Sequence, residues 1–231
     1  MRSLQNIRAN TAKSAALTGQ PQHVMLVILL AWGAVSMLRY SPGSPSFLGF
    51  DAIDWALLTI LVVIIHQVIV AIVFRSQLHF AVMTRLLGAN ALKIWGAIFM
   101  PFLIARPLLV LATGIADYNS LDGSQSLRII GGILLLAVAV WGAHSVAKYF
   151  GINRALGGDH FYDEYANMPL VNEGAFKYTS NAMYGVVFLG LWGIALLTGS
   201  WNALVLALFQ HAYIWVHMYC TEDPDMKVIY A

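Results

Sequence analysis

Three carboxylates lie close together near the end of the sequence. Glu222, Asp223 and Asp225 follow an apolar run, in the stretch CTEDPDMKVIYA at 220–231. Carboxylates accept charge-assisted hydrogen bonds from ammonium groups and hydroxyls, and they can also take up a proton. Charged residues at membrane surfaces are often simply solvated. The stretch therefore indicates either a binding site for a cationic or hydroxyl-rich ligand or a solvated tail.

Histidines supply the candidate proton acceptors. His217 precedes Glu222 by five residues, His160 follows Asp159 in a long loop, and His144 ends an apolar segment. Imidazole is the side chain whose ordinary pKa lies nearest to neutral pH, which suits it to general base catalysis. A single histidine in such surroundings is more often structural. The sequence leaves the identity of the base open.

The elements that would position these groups are apolar helices. The 231 residues are 59% hydrophobic and only 10% charged, whereas soluble domains carry roughly 25% charged residues. Several apolar runs approach the roughly 20 residues that a membrane-spanning helix needs. The candidate spans are 24–38, 53–74, 92–115, 129–146, 183–197 and 201–219. We predict an all-α polytopic transmembrane bundle of about six spans, forming one integral membrane domain over residues 1–231.

The distribution of Lys and Arg predicts the orientation of the bundle. With the N-terminus in the cytosol, ten of the 13 cations lie on the cytosolic side, and only Arg39 and Arg128 lie outside. The positive-inside rule then predicts that both termini are cytosolic. Residues 1–23, which include Arg2, show no cleavage pattern and are expected to form a cytosolic tail. This membrane would be the inner membrane in a bacterium or the endoplasmic reticulum in a eukaryote.

Two connections between the spans are informative. Thr198-Gly199-Ser200 is too short for anything but a tight antiparallel hairpin between the fifth and sixth spans. The loop 148–181 is long and rich in aromatic residues, which is typical of a functional or interfacial segment. The loop 39–51 is a simple Pro/Gly/Ser connection.

Several common functions are excluded by missing motifs. The patterns GxGxxG, GxxxxGK[ST] and HExxH are absent, and Cys220 is the only cysteine. The chain therefore has no intrachain disulfide, and we expect no metal site and no nucleic acid partner. A cofactor would have to bind between the helices and the loop 148–181.

Three stretches between residues 131 and 230 resemble the membrane phospholipid N-methyltransferases of the phosphatidylethanolamine type. They are WGAHSVAKYFG at 141–151, TSNAMYGVVFLGLWG at 179–193 and TEDPDMKVIY at 221–230. Their order and spacing, with a long loop and a short hairpin between them, match the family together. A more distant resemblance links them to the isoprenylcysteine carboxyl methyltransferases.

The resemblance implies an enzyme that uses S-adenosyl-L-methionine, with residues 131–231 as its catalytic and cofactor-binding half. The substrate would be the amine headgroup of a membrane phospholipid, such as phosphatidylethanolamine or its methylated derivatives, entering sideways from the bilayer. Tyr178, Tyr184 and Trp215 could lie over the sulfonium. The catalytic candidates are His217, His160 and Glu222. The cofactor-binding candidates are Gly142, Lys177, Tyr178, Asn181, Met183, Tyr184, Glu222 and Asp223.

Other functions and roles stay open at this stage. The same architecture could methylate a prenylcysteine carboxyl group or a thiol, and Asn181 could simply cap the fifth helix. His66 and His211, near the middle of their spans, could ligate a haem, and a scaffold without catalysis is also possible. Arg106 is expected to snorkel outward or to bond a carbonyl left free by Pro107, with a lipid phosphate contact as the alternative.

Overall fold

The computed structural model describes residues 3–40 and 46–230. Arg2, the centre of the loop 39–51 and Ala231 lie outside the described residues. Within the described ranges every regular element is helical. The prediction of an all-α bundle is confirmed.

Twelve α-helices are found among the described residues, together with shorter 3₁₀ and π turns. They are α1 Leu4–Asn10, α2 Gln20–Met37, α3 Ala52–Phe80, α4 Val82–Leu87, α5 Ala91–Ala116, α6 Gln125–Ser145, α7 Ile152–Ala155, α8 Gly158–Phe161, α9 Asp163–Ala166, α10 Leu189–Thr198, α11 Trp201–His217 and α12 Asp223–Ile229.

Five continuous helical stretches are long and apolar enough to cross a membrane, and a sixth is shorter. The five are Lys13–Met37, Ala52–Phe80, Val82–Ala116, Gln125–Phe150 and Trp201–Ile229, and the shorter one is Met183–Thr198. At about 1.5 Å per residue, the shorter helix covers less than the roughly 30 Å of a hydrocarbon core. It therefore spans only with the support of its neighbours.

The hairpin between α10 and α11 forms as predicted. Gly199 ends α10 in the left-handed conformation at φ 58°, which glycine adopts without steric cost. The Ser200 hydroxyl then accepts a hydrogen bond from the Ala203 amide and caps α11. The two helices consequently pack side by side, with α11 at the centre of the bundle.

The acidic segment at the end of the chain is helical and packed. The helix of the last span continues from His217 through a π turn, Met218–Glu222, into α12. Leu4 and Ile7 of α1 bury themselves against Leu78 and Ile229. The tail predicted for residues 1–23 is therefore folded onto the same end of the bundle as α12.

A buried carboxylate fixes the opposite end of α11. One oxygen of Asp117, which is 1% exposed, accepts hydrogen bonds from the Ser120 and Ser200 hydroxyls and from the Asn202 amide. Asp117→Ala leaves these donors unsatisfied, and we expect it to reduce the free energy of unfolding by about 2–4 kcal/mol. Thermal unfolding in detergent measures this change. Asp122→Ala, in the same loop but exposed, should leave the melting temperature unchanged; equal losses in both variants would contradict the assignment.

Candidate functional site

Two concavities meet at the end of the bundle that carries α12. The first, here called the apolar cavity, has a volume of about 250 Å³ and lies among α3, α5, α6 and α11. The second, here called the polar cleft, has a volume of about 670 Å³ and lies between α12 and the loop 148–181. Both volumes are in or close to the range of small-molecule sites. Met183, Tyr184 and Glu222 line both concavities and form their junction.

Polar side chains converge at this junction. The Tyr184 hydroxyl donates a short hydrogen bond to Glu222 Oε1. His217 Nε2 lies 3.5 Å from the same oxygen, and His217 is 1% exposed. Neither ring nitrogen of His217 has a hydrogen-bond partner among the described residues. The structure thus brings a carboxylate, a phenol and an imidazole together at one place.

Two π turns build the junction. Met183–Val187 opens the fifth span and Met218–Glu222 follows the sixth, so Tyr184 and Glu222 face each other across the hairpin. π turns often occur at functional sites because they re-aim side chains within a helix. Gly142 supports the first turn, since a Cβ there would lie 2.7 Å from the Val186 side chain. Gly142 was predicted to bind the cofactor, but it lines neither concavity, and the structure places it in close helix packing.

The polar cleft carries both signs of charge. Its acidic lining includes Asp223 and Asp159, and its basic lining includes Arg154 and Lys227. Arg154 Nε is buried and has no partner among the described residues. Aromatic rings from the loop and α12 complete the walls. A zwitterionic ligand with an aromatic ring fits this set of groups, as S-adenosyl-L-methionine would require.

The third carboxylate, Asp225, has a different role. It is completely buried, and its oxygens lie 2.8 Å from Arg75 Nη1 and 3.2 Å from His160 Nε2. His79 Nε2 is 3.7 Å away. Arg75 also donates to the carbonyl of Thr18. This cluster of ion pairs ties α12 to α3, to the loop and to the N-terminal segment.

His160 belongs to that cluster and lines neither concavity. Its ring nitrogens contact Asp159 and Asp225, and its ring stacks on Phe74. Burial opposes the charged imidazole, but the Asp159 carboxylate and the hydrogen bonds to both acids raise the pKa of His160 to about 10. Burial likewise opposes the Asp159 charge, yet the pKa of Asp159 is lowered by His160. The raised pKa favours the protonated imidazole, which does not act as a base, and His160 lines neither concavity.

Several residues singled out in the sequence lie away from the junction. Lys177 is exposed at the end of a 3₁₀ turn, and Tyr178 is 77% exposed beside the Trp141 ring. The Trp215 ring packs edge to face against the Tyr184 ring. His144 is exposed on the outer surface of α6.

Asn181 lies in the lining of the polar cleft. The alternative that its side chain caps the fifth helix is wrong, because the N-cap is Ala182 and makes no side-chain hydrogen bond. Sequence reasoning missed Arg154, Lys227 and Tyr230 as cleft residues. Only their proximity to predicted site residues could have indicated them.

The expectation for Arg106 is wrong. Its guanidinium does not snorkel outward: the residue is 4% exposed, and Nε donates to the Gln210 side chain at 2.9 Å. It lies deep in the bundle, where it lines the apolar cavity.

The two histidines considered for haem ligation have different surroundings. His66 stacks on Phe102 and lines the apolar cavity. His211 accepts a hydrogen bond from the Trp192 indole. A haem bridged by these histidines would have to break that bond.

The fold and the site define a polytopic helical membrane protein in which a cavity among the spans opens into a polar cleft at one end. Residues 127–231 match the model of the phospholipid methyltransferase family, which confirms the resemblance drawn from the sequence. The match covers the sixth to twelfth helices and therefore the whole junction.

Curated relatives agree with this family. The phosphatidylethanolamine N-methyltransferase of Malassezia globosa is 31% identical over 137 residues, which are 59% of this chain and 14% of that protein. That of Clavispora lusitaniae is 29% identical over 146 residues, which are 60% of this chain and 17% of that protein. The chain thus matches less than a fifth of the length of these relatives. No solved structure matches it.

Proposed function

We propose that this protein is an S-adenosyl-L-methionine-dependent N-methyltransferase that acts on the amine headgroup of a membrane phospholipid, such as phosphatidylethanolamine or its methylated derivatives. One observation carries the proposal: the Tyr184–Glu222 pair lines both the apolar cavity and the polar cleft. Methyl transfer requires the acceptor nitrogen and the methyl donor to meet in line at near-attack distance. A junction between an apolar cavity among the spans and a polar cleft provides that meeting point.

Different cleft residues suit different parts of the methyl donor. When bound, S-adenosyl-L-methionine supplies an electrophilic methyl group on a positively charged sulfur. Asp223 and Glu222 suit its ammonium and ribose hydroxyls, and Arg154 and Lys227 suit its carboxylate. We therefore assign to Arg154 and Lys227 the role first expected of Lys177. The Tyr184 ring offers a cation–π contact worth about 0.5–2 kcal/mol.

The junction residues act on the acceptor. Tyr184 holds the Glu222 carboxylate by its hydrogen bond, and Glu222 orients the headgroup ammonium. His217, with both ring nitrogens free of partners within the described residues, accepts the proton whose loss exposes the nitrogen lone pair. Asp159, His160 and Asp225 position α12 and take no part in the chemistry.

The side of the membrane is part of the proposal. Leu4 and Ile229 pack together, so both ends of the described chain lie at the end of the bundle that holds the polar cleft. The excess of Lys and Arg at that end supports a cytosolic cleft. The multi-pass protein would then draw its lipid from the cytosolic leaflet.

The test combines cofactor binding with product analysis. Calorimetric titration of the detergent-purified protein with S-adenosylhomocysteine should show micromolar binding. Proteoliposomes containing phosphatidylethanolamine should then incorporate labelled methyl groups into the lipid, whereas added farnesylcysteine should not be labelled. Absence of binding by a folded protein would overturn the proposal. Labelling of farnesylcysteine alone would replace the lipid amine with a carboxyl or thiol acceptor.

A further inference from the structure

Arg106 carries a charge that the protein does not balance. It is 4% exposed in the middle of α5, and its guanidinium carbon lies 5.0 Å from the centre of the Phe188 ring. Nε donates to Gln210 Oε1, but Nη2 has no partner among the described residues. No described carboxylate lies within ion-pair distance of it. Such a charge is costly in a bilayer and marks a functional site by default.

Other hydrogen-bonding atoms beside Arg106 are also unsatisfied. Gln210 Nε2 lacks an acceptor, and neither ring nitrogen of His66 has a partner within the described residues. Gln210 can only donate at this atom, and one nitrogen of a neutral imidazole is a donor. Gln210 is hydrogen-bonded to Arg106, and His66 lines the apolar cavity together with Arg106. Buried donors without acceptors favour an anion, which can accept several hydrogen bonds.

A third concavity leads from this region to the outer surface of the bundle. It is lined by residues of α5, α6 and α10 and is here called the lateral groove; Arg106 and Gln210 both belong to its lining. Its apolar wall includes Ile104, Leu108 and Val140, each more than half exposed on the outer surface of the bundle. Arg106 also lines the apolar cavity. The guanidinium thus stands where the lateral groove meets the cavity.

The guanidinium also lies within reach of the junction. Side chains on a helix tilt toward its N-terminus, and α5 begins near the loop that forms the polar cleft, where Trp95 donates to the Leu156 carbonyl. The Phe188 ring contacts both groups: its centre lies 5.0 Å from the guanidinium carbon and 6.4 Å from the centre of the Tyr184 ring. Arg106, Tyr184 and Glu222 all line the apolar cavity, so a phosphate at Arg106 places the ethanolamine in the cavity that contains Glu222.

We infer that Arg106 and Gln210, assisted by His66, bind the anionic phosphodiester of the lipid acceptor while its acyl chains occupy the lateral groove. This inference rests on the proposed function, because it names the part of the substrate that the apolar cavity selects. It makes Arg106, which lies outside the matched residues 127–231, the residue that distinguishes a phospholipid from an amphiphile without phosphate.

Lipid binding tests the inference without relying on catalysis. Didecanoyl phosphatidylethanolamine, didecanoyl glycerol and inorganic phosphate are titrated against the purified protein, with binding read by native mass spectrometry. Wild type should prefer the phospholipid, and Arg106→Met should weaken its binding by about 10- to 100-fold, the effect of losing a hydrogen bond to a charged group. Binding of didecanoyl glycerol should be unchanged. Arg39→Gln, which removes an exposed guanidinium stacked on Trp201 at the other end of α11, is the matched control.

Three results would overturn the inference. Phospholipid binding could be unaltered in Arg106→Met; both lipids could lose affinity equally; or inorganic phosphate could bind as well as the phospholipid, which would indicate a free-anion site. The melting temperature measured without lipid distinguishes phosphate binding by Arg106 from a purely structural role of this residue. Arg106→Met should melt at or above the wild-type temperature because it removes an unpaired buried charge, whereas loss of a structural contact would lower it. S-adenosylhomocysteine binding should be the same in Arg106→Met and in wild type. If wild type itself does not bind S-adenosylhomocysteine, that result counts against the proposed function and not against phosphate binding at Arg106.

Discussion

Glu222→Gln is expected to reduce kcat for methyl transfer to phosphatidylethanolamine by about 10²- to 10³-fold, the range seen when one preorganised electrostatic contact to the reacting group is lost. The amide keeps the size of the side chain and an oxygen for the Tyr184 hydroxyl. It loses the negative charge that holds the headgroup ammonium beside His217. Initial rates with labelled methyl donor in proteoliposomes measure the loss.

The neighbouring residue provides a matched control for this variant. Asp223 also lines the polar cleft, but it is paired with Lys227 at 2.7 Å on the exposed side of α12. Since Asp223 is assigned to the methyl donor and not to the acceptor, Asp223→Asn should raise KM for the donor while changing kcat at saturating donor by less than about fivefold. Equal losses in the two variants would mean that the cleft needs only its overall negative charge, which would refute a specific role for Glu222.

Substitution of His217 distinguishes orientation of the headgroup from acceptance of its proton. In His217→Gln the headgroup still binds at Glu222, so KM for the lipid should change little while kcat falls. The remaining rate should rise steeply with pH, because hydroxide then replaces the missing base. A variant whose pH profile matches that of wild type would show that His217 does not accept the proton.

The sequence was sufficient for the parts of the fold that depend on local patterns. Apolar runs identified all six helical stretches, although three of them extend about ten residues beyond one predicted end. Thr198-Gly199-Ser200 identified the hairpin, because glycine and serine have fixed roles at helix ends. The hairpin in turn brings the two ends of its helices together. For that reason Tyr184 and Glu222, which lie 38 residues apart, could be assigned to one site, although the hydrogen bond between them was not predicted.

The roles of individual charged residues could not be predicted in this way. Glu222 and Asp225 are three residues apart, yet one lines the junction and the other is buried among cations of α3 and the loop. The π turn at Met218–Glu222 determines which of the two carboxylates faces the ligand, and no local sequence pattern predicts that turn. Arg106 was assigned wrongly for a similar reason, since its partner Gln210 is 104 residues away.

Asp225→Asn should be the most destabilising of the substitutions in α12. It keeps the shape of the side chain but leaves Arg75 and His160 buried without their shared counter-charge. Breaking a buried ion pair from one side costs about 3–5 kcal/mol. We expect a large fall in melting temperature and weakened S-adenosylhomocysteine binding, because α12 forms one wall of the polar cleft. Asp223→Asn, on the same helix, should melt as wild type does.

The pH dependence of stability identifies the cluster as the cause. Since the pKa of His160 is raised from its ordinary 6.5 to about 10, its contribution is complete below the lower value and is lost as the pH rises through the higher one. The wild-type melting temperature should therefore fall between neutral pH and about pH 10. Asp225→Asn removes one of the two acids that hold the His160 proton, so its melting temperature should fall less over this interval. A parallel decline in both proteins would show that Asp225 does not stabilise the charged imidazole.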